Sequence, residues 1–298
     1  MENLSKDDVL HLGLKFVSHK SHRQTQKSLV KKFVGYFGAE PKILVKQWKD
    51  LFDTIPNKEQ NERGLRMFMM CHYFLFCYPR NVQVLAKDFG MCDKNSVSGK
   101  KLWTWLERIA ALKEKKIVWP HERFRQEDYA KFVMTVDCVD CHTREPKHPR
   151  YNLDNAYSSH KFKKAGFRYE LALEIQFSNL IWINGPYKAG SDSDIKIFKE
   201  GGLRAKMRAL PGKKGIADQG YEGESALLAM PTTIDKHHVH TFKSRACCRM
   251  ENFNARIKQY HSMNTYWEHG KAKHKIAFEA VCVTCQYRME NGHPLWDV

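Results

Sequence analysis

Apolar residues recur three and four positions apart along the first part of the chain, which is the spacing of one face of a helix. The clearest helical segments are 41–52 and 61–78. Pro79 is predicted to end the second of them, because proline cannot continue a helix. The hydrophobic pattern therefore predicts an all-helical region at 1–115.

A short polar break, GMCDKNS, separates two further predicted helices at 82–89 and 97–112. Gly90 suits the end of a helix, and Ser96 suits the start of the next one. Two short helices joined by such a turn are typical of a helix-turn-helix, whose second helix enters the major groove of DNA. We therefore predict a helix-turn-helix-like DNA-binding domain at 1–115, with an ordinary helical bundle as the alternative.

The periodicity changes after a charged segment at 116–129, which is predicted to be a linker. Three segments then read as strands: FVMTVD (132–137), RYELALEIQ (168–176) and NLIWING (179–185). The second and third are separated by only two residues, Phe177 and Ser178. A tight hairpin is predicted there.

The remaining residues alternate between helical and extended patterns. GIAD (215–218) is a fourth predicted strand, and 194–210, 249–260 and 273–288 are predicted helices. The order β-β-β-α-β-α is typical of a mixed sheet flanked by helices. We therefore predict a mixed α/β fold, with a second domain at 130–298.

Composition narrows the class of partner. The 298 residues include 50 Lys and Arg against 33 Asp and Glu, which gives a net charge of +17. Such an excess favours a polyanion, above all nucleic acid, over a small metabolite. The sequence has no run of apolar residues long enough to cross a membrane, and its first residues do not resemble a signal peptide. The nine cysteines are odd in number, which favours reduced thiols inside the cell.

Three acidic residues carry the candidate chemistry. Asp137 and Asp218 each close a predicted strand, and Glu251 lies at the start of a basic helical stretch, on one helix face with Asn254 and Lys258. Carboxylates at strand ends and on a helix can converge on two divalent ions, which assist attack on a phosphodiester. Together with the positive charge, this pattern predicts metal-dependent cutting or joining of nucleic acid.

Two further aspartates compete for a role in this site. Asp140 lies three residues after Asp137, and residues three apart on a strand point to opposite faces, so only one of them can aim at the site. Asp137 is preferred because it directly follows the apolar run. Asp194 is read first as the cap of the following helix and second as a metal ligand.

At these residues the chain resembles a DDE transposase of the PIF/Harbinger-like superfamily and its IS5-type bacterial relatives. The resemblance covers roughly 130–298, and its motifs occur in the expected order. They are TVDCVDCHTREP, YSSHKF, RYELALEIQ, WINGPYKAGSDSDIKIF, IADQGYEG, ENFNARIKQY and FEAVCVTCQYRMENGHPLW.

The resemblance implies an RNase H-like fold and a pair of Mg²⁺ or Mn²⁺ ions held by Asp137, Asp218 and Glu251. It also implies DNA cleavage followed by strand transfer. Asp194 matches an aspartate that the family often carries outside its triad. A Myb-like DNA-binding partner protein, a homo-oligomer and a nuclear location (cytoplasmic in a bacterium) are expected on the same ground.

One departure supports an alternative function. Cys138 stands where the family usually has glycine, and Val139 stands where a small hydroxyl residue is common. A side chain at 138 is expected to crowd the approach of the DNA strand. The alternative is therefore a catalytically inactive, domesticated DNA-binding or scaffold protein that keeps the fold. An RNA-processing nuclease with the same fold is a third reading.

Other metal-ligand patterns are weaker. Cys138, Cys141 and His142 could pair with Cys282 and Cys285 in a zinc site, but about 140 residues separate the two groups, and buried thiols explain them better. The histidines of DKHHVHTF are read as part of a mobile charged loop rather than as metal ligands. They are His237, His238 and His240.

Basic residues near the three acids are the predicted phosphate contacts. They lie in two stretches, SHKFKK and RMENFNARIK. The DNA-binding residues predicted on this basis are Lys161, Lys163, Lys164, Arg249, Arg256 and Lys258.

Overall fold

The computed structural model describes residues 3–17, 24–79, 81–90, 97–144 and 155–298. The chain divides into two compact units. The first comprises Met1–Lys116, Lys258–Asn264 and Ile276–Gly292; the second comprises Ile117–Ile257, Thr265–Lys275 and His293–Val298. The predicted domain bounds 1–115, 116–129 and 130–298 remain a prediction.

The first unit is helical, as the hydrophobic spacing predicts. The predicted helix at 41–52 is confirmed as Pro41–Phe52, and the one at 61–78 is confirmed as Glu62–Cys77, where Tyr78 leaves the helix with a φ of 46°. The helices of this unit, numbered along the chain, are α1 Lys6–Phe16, α2 Gln26–Phe37, α3 Pro41–Phe52, α4 Glu62–Cys77, α5 Val82–Asp88, α6 Val97–Ala111 and α7 Lys113–Lys116.

Aromatic stacking supports the core of this unit. Trp48 of α3 stacks on Trp105 of α6 with ring centroids 6.0 Å apart, and Phe68 of α4 packs against the same Trp48. All three side chains are buried. Ser96 and the turn before α6 lie outside the described residues, so the helix-turn-helix and its binding of DNA remain predictions.

The segment predicted as a linker contains regular structure. A short helix, α8 His121–Arg125, lies within it. The buried carboxylate of Glu174 accepts hydrogen bonds from Arg123 and from the hydroxyl of Tyr129, at 2.6 and 2.7 Å. Because these two bonds tie 117–129 to a strand of the sheet, this segment packs as part of the second unit.

The second unit is built on a five-stranded mixed sheet in the order β3-β2-β1-β4-β5. The strands are β1 Phe132–His142, β2 Gly166–Glu174, β3 Leu180–Lys188, β4 Lys214–Ile216 and β5 Leu228–Ala229. β1, β2 and β3 pair antiparallel, whereas β4 runs parallel to β1 and to β5. β2 and β3 form the predicted antiparallel hairpin, but the predicted two-residue turn is wrong, because the connection comprises the five residues 175–179, where Ser178 has a φ of 57°. With the N-terminal helical region, this sheet confirms the mixed α/β fold.

Helices of the second unit pack on the sheet. They are α9 Asp194–Glu200, α10 Leu203–Arg208 and α11 His237–Lys258, whose last residue belongs to the first unit; α12 His261–Asn264 and most of α13 Lys271–Glu290 also belong to the first unit. Ile197 and Phe198 of α9 pack against Val136 and Cys138 in one buried cluster. Ala246 of α11 packs against Ile216 in another. None of the helices within the described residues is long and apolar enough to cross a membrane.

Two predicted elements need correction. The single helix predicted at 194–210 is two helices, because Gly202 takes a φ of 104° between α9 and α10. The mobile loop predicted at the three histidines is wrong, because α11 already begins at His237. An ion pair joins Lys243, in the second turn of α11, to Asp235, which lies two residues before the helix. No proline or glycine interrupts the helix.

Candidate active site

Three aspartates from separate elements meet at the carboxyl end of β4, beside the middle of the central strand β1. Asp137 lies in β1, Asp218 follows β4 and Asp194 begins α9. One carboxylate oxygen from each lies within 4.8 Å of those of the other two. Across the part of the chain that the structure describes, this is the one group of three or more His, Cys, Asp or Glu side chains close enough to share a metal ion.

The strand register explains how Asp137 and Asp218 come together. Thr135 of β1 pairs with Ile216 of the parallel strand β4. Asp137 lies two residues further along β1, and Asp218 lies two residues past Ile216, just beyond the end of β4, so the parallel pairing places the two side by side. The Asp218 carboxylate also accepts the N–H of Gly220 at 3.0 Å, which fixes the turn after β4.

Asp194 belongs to this cluster and is not the helix cap that its sequence position predicts. Ser193 is the N-cap of α9, and Asp194 is the first helical residue. The guanidinium of Arg168 donates to its carboxylate at 2.8 Å. This bond holds the Asp194 side chain on the side that faces Asp137 and Asp218.

Asp140 lies outside the cluster. Its side chain is buried, and its carboxylate accepts two hydrogen bonds from Arg168 and one from the hydroxyl of Ser159, at 2.6–2.9 Å. Because Arg168 also bonds Asp194, Asp140 anchors the arginine that orients a member of the cluster. The sequence alone did not predict this contact.

Glu251 lies on α11, exposed to solvent and outside the group of three carboxylates. Cys247, Glu251 and Asn254 follow one another at i, i+4 and i+7, on one side of the helix. Asn254 donates from its side-chain amide to Asp137 at 2.7 Å. The helix side that carries Glu251 therefore faces the same end of the sheet.

The three carboxylates of the cluster repel one another when they are ionised and no cation is bound. Burial, together with the negative charges of Asp218 and Asp194 and against the opposing effect of Lys161, raises the pKa of Asp137 to about 6. Burial also raises the pKa of Asp194, although Arg168 and Lys161 oppose the shift. A divalent cation would relieve this repulsion and hold the carboxylates ionised.

The space between the carboxylates is kept open by a glycine. A Cβ on Gly220 would lie 2.9 Å from an oxygen of Asp194 and 3.1 Å from one of Asp218. Any other residue at 220 would press into the gap that the two carboxylates share. The donor set, all carboxylate oxygen, fits a hard ion such as Mg²⁺ or Mn²⁺.

The Cys138 thiol lies beneath the cluster, in the core, where it donates a hydrogen bond to the carboxylate of Asp194. The Cys138 side chain is buried on the opposite face of β1 from Asp137, with its sulfur 3.3 Å from the hydroxyl of Tyr221. The crowding predicted from the missing glycine is therefore wrong. The thiol fills core volume between β1 and the segment that follows β4.

The predicted DNA contacts have different surroundings. Lys163 and Lys164 are exposed, and Lys161 lies beside the aspartates, with its ammonium donating to the carbonyl of Cys138 at 3.0 Å. Arg256 donates to the carbonyls of His293 and Pro294, and Lys258 donates to that of Met263. Contacts of these five side chains with DNA remain predictions.

The structure contradicts the predicted DNA contact at Arg249. Its side chain is buried, and it donates to the carbonyls of Glu174 and Ile175 and to the hydroxyl of Ser178, at 2.9–3.0 Å. A guanidinium enclosed in this way has no face to offer to a phosphate. The predicted DNA contact at Arg249 is wrong, because the side chain instead ties α11 to the β2–β3 hairpin.

The other metal patterns are not assembled. Neither the cysteines nor the three histidines belong to a metal-ligand group within the described residues. Cys282 and Cys285 are buried in α13, as predicted for core thiols.

Comparison with known proteins identifies the family. A family model described as DDE superfamily endonuclease matches residues 136–286, just over half of the chain. The matched segment contains the three clustered aspartates and Glu251. The chain therefore belongs to the DDE superfamily endonucleases, as its motifs predict. No curated protein and no solved structure matches it.

A buried carboxyl behind the cluster predicts a pH effect on stability. Glu170 is fully buried and accepts a hydrogen bond from the indole of Trp182 at 2.9 Å, and burial raises its pKa to about 8. The folded chain therefore keeps a proton that the unfolded chain loses near pH 4.5, so Glu170 lowers stability progressively as the pH rises from about 4.5 to about 8.

We expect Glu170→Gln to remove this effect, because the amide is neutral at every pH and keeps the shape of the side chain. Its free energy of unfolding at pH 8 should exceed that of the parent by at least about 1 kcal/mol, and the gain should vanish below about pH 4. Urea titrations at the two pH values measure this. A gain that is equal at both would show that Glu170 is ionised in the folded protein.

Proposed function

We propose that this protein is a transposase-type, metal-dependent DNA endonuclease and strand transferase with an RNase H-like catalytic domain. The observation that carries the proposal is the convergence of Asp137, Asp194 and Asp218 within one segment matched by the endonuclease family. Three carboxylates brought together from distant parts of a chain, against their mutual repulsion, are typical of a site for divalent cations.

Asp137 and Asp218 are the principal metal-binding residues in this proposal, and Glu251 on α11 completes a second binding position. Asp194 joins the first position, since its carboxylate lies with the other two. A pair of Mg²⁺ or Mn²⁺ ions would supply an activated oxygen nucleophile and neutralise the phosphoryl oxygens. The carboxylates of these residues would hold the ions in place.

Charge supports DNA as the substrate. The net charge of +17 favours a polyanion, and the endonuclease family implies a nucleic acid substrate. Lys161, Lys163 and Lys164 precede β2 in a stretch that reaches the aspartates, where they would bind the phosphates next to the scissile bond. A Myb-like partner, a homo-oligomer and a nuclear location stay expectations from the resemblance to PIF/Harbinger-like transposases.

Cleavage of supercoiled plasmid by the purified full-length chain tests the proposal. We expect nicked and linear products with Mg²⁺ or Mn²⁺, and none with EDTA, because the carboxylate cluster needs cations to act. A parallel reaction with an RNA–DNA hybrid and with structured RNA separates DNA cleavage from RNA processing. Binding of plasmid without any cleavage under either metal would favour the inactive scaffold protein instead.

A further inference from the structure

The Asp137 carboxylate is held by two donors of different origin. Its Oδ1 accepts the backbone N–H of Cys138 at 2.6 Å, and its Oδ2 accepts the side-chain amide of Asn254 at 2.7 Å. Each oxygen therefore has one hydrogen bond from the protein and keeps further lone-pair capacity. The carboxylate is fixed in orientation while remaining able to bind a cation.

The chemistry of the donor at 254 suits a cation site. An ammonium or guanidinium at this place would neutralise Asp137 and compete with a metal ion for it. The amide of Asn254 orients the carboxylate without cancelling its charge. Metal-binding carboxylates are commonly oriented by a hydrogen bond from a residue that does not itself contact the metal.

Asn254 also connects two elements of the proposed site. It lies three residues after Glu251 on α11, and Arg249 lies two residues before Glu251 on the same helix. Arg249 fastens α11 to the β2–β3 hairpin, whereas Asn254 fastens it to β1 through Asp137. Glu251 is therefore carried by a stretch of helix that is tied to the sheet on both sides.

We propose that Asn254 is a positioning residue of the metal centre: it orients Asp137 and sets the place of Glu251 relative to that carboxylate. This inference rests on the proposed function. It assigns to Asn254 a role that acts through Asp137, without contact with substrate.

Metal binding by the full-length chain in the absence of DNA tests this role. We expect Asn254→Ala to weaken Mn²⁺ binding, measured by isothermal titration calorimetry, by about tenfold or more. In plasmid cleavage, kcat should fall while the affinity for DNA stays unchanged. Asn252→Ala is the matched control, since Asn252 lies on the same helix two residues away, and it should bind Mn²⁺ like the parent.

The outcomes separate the inference from the proposed function. Parent-like Mn²⁺ binding and kcat in a folded Asn254→Ala variant would overturn the positioning role and leave the proposed function intact. A parent chain that binds no Mn²⁺ would overturn both. If Asn254→Ala does not fold, Asn254→Ser, which retains a small polar side chain, is judged by the same two measurements.

Discussion

Replacement of Asp218 by alanine is expected to abolish Mg²⁺-dependent plasmid cleavage, with a rate at least about a thousandfold below that of the parent. Asp218 supplies one of the three carboxylates that lie within 4.8 Å of one another, and its loss leaves only Asp137 and Asp194 in the cluster. Charge stabilisation by a correctly held ion is worth several kcal/mol in the transition state, which corresponds to a factor of this size.

The same variant should keep its fold and its affinity for DNA. The Asp218 side chain is exposed and accepts a hydrogen bond from the N–H of Gly220 in the turn. We therefore expect its removal to lower the free energy of unfolding by no more than about 1 kcal/mol. Glu222→Ala, a change at an exposed acid four residues further on, is the matched control and should cleave like the parent. Parent-like cleavage by Asp218→Ala would refute the assignment of the aspartate cluster as the active site.

Asp137 and Asp218 were predictable as candidates because their signal is local, although β1 continues past Asp137 to His142 and only Asp218 follows the end of its strand. An apolar run that ends in an aspartate marks both Asp137 and Asp218, and alternation along a strand separates Asp137 from Asp140. The pairing of β1 with β4, which brings Asp137 and Asp218 together, cannot be predicted from either segment alone. β5 escaped prediction for a related reason, since two residues are too few to show a period.

Asp194 shows the limit of local reasoning more clearly. An aspartate at the start of a helix is most simply a cap, and only the resemblance to the family pointed to a second role for Asp194. Its place in the cluster depends on Arg168, twenty-six residues earlier in the chain, which also pairs with Asp140. Only the antiparallel register of β1 and β2, which sets Asp140 opposite Arg168, makes this arrangement visible.

The predicted phosphate contact at Arg249 is wrong for the opposite reason. Charge predicts exposure, and most arginines in a cationic chain are exposed, so Arg249 reads as a phosphate contact. The structure gives it carbonyl and hydroxyl acceptors instead, at a hairpin turn whose backbone groups need donors. Burial of a single long side chain is decided by tertiary packing and leaves no mark on the local pattern.

Replacement of Arg249 by methionine is therefore expected to act on stability and not on DNA binding. Methionine keeps much of the side-chain volume but removes every donor, which leaves the acceptors at Glu174, Ile175 and Ser178 without their buried partner. We expect the free energy of unfolding to fall by about 3 kcal/mol, since hydrogen bonds from a charged group are costly to lose in the interior. Urea denaturation followed by circular dichroism measures this.

Arg245→Met on the same helix provides the contrast. Arg245 is exposed and donates to the carbonyl of Asp297, so its loss should change stability by no more than about 1 kcal/mol. If Arg249 instead contacted phosphates, its replacement would weaken DNA binding and reduce the salt dependence of the affinity while leaving stability unchanged. Loss of a residue that fastens α11 to the sheet is therefore expected to lower stability and leave DNA affinity unchanged, whereas loss of a residue that touches DNA is expected to do the reverse. Because α11 carries Glu251, loosening this helix should also slow cleavage in the fraction of the protein that remains folded.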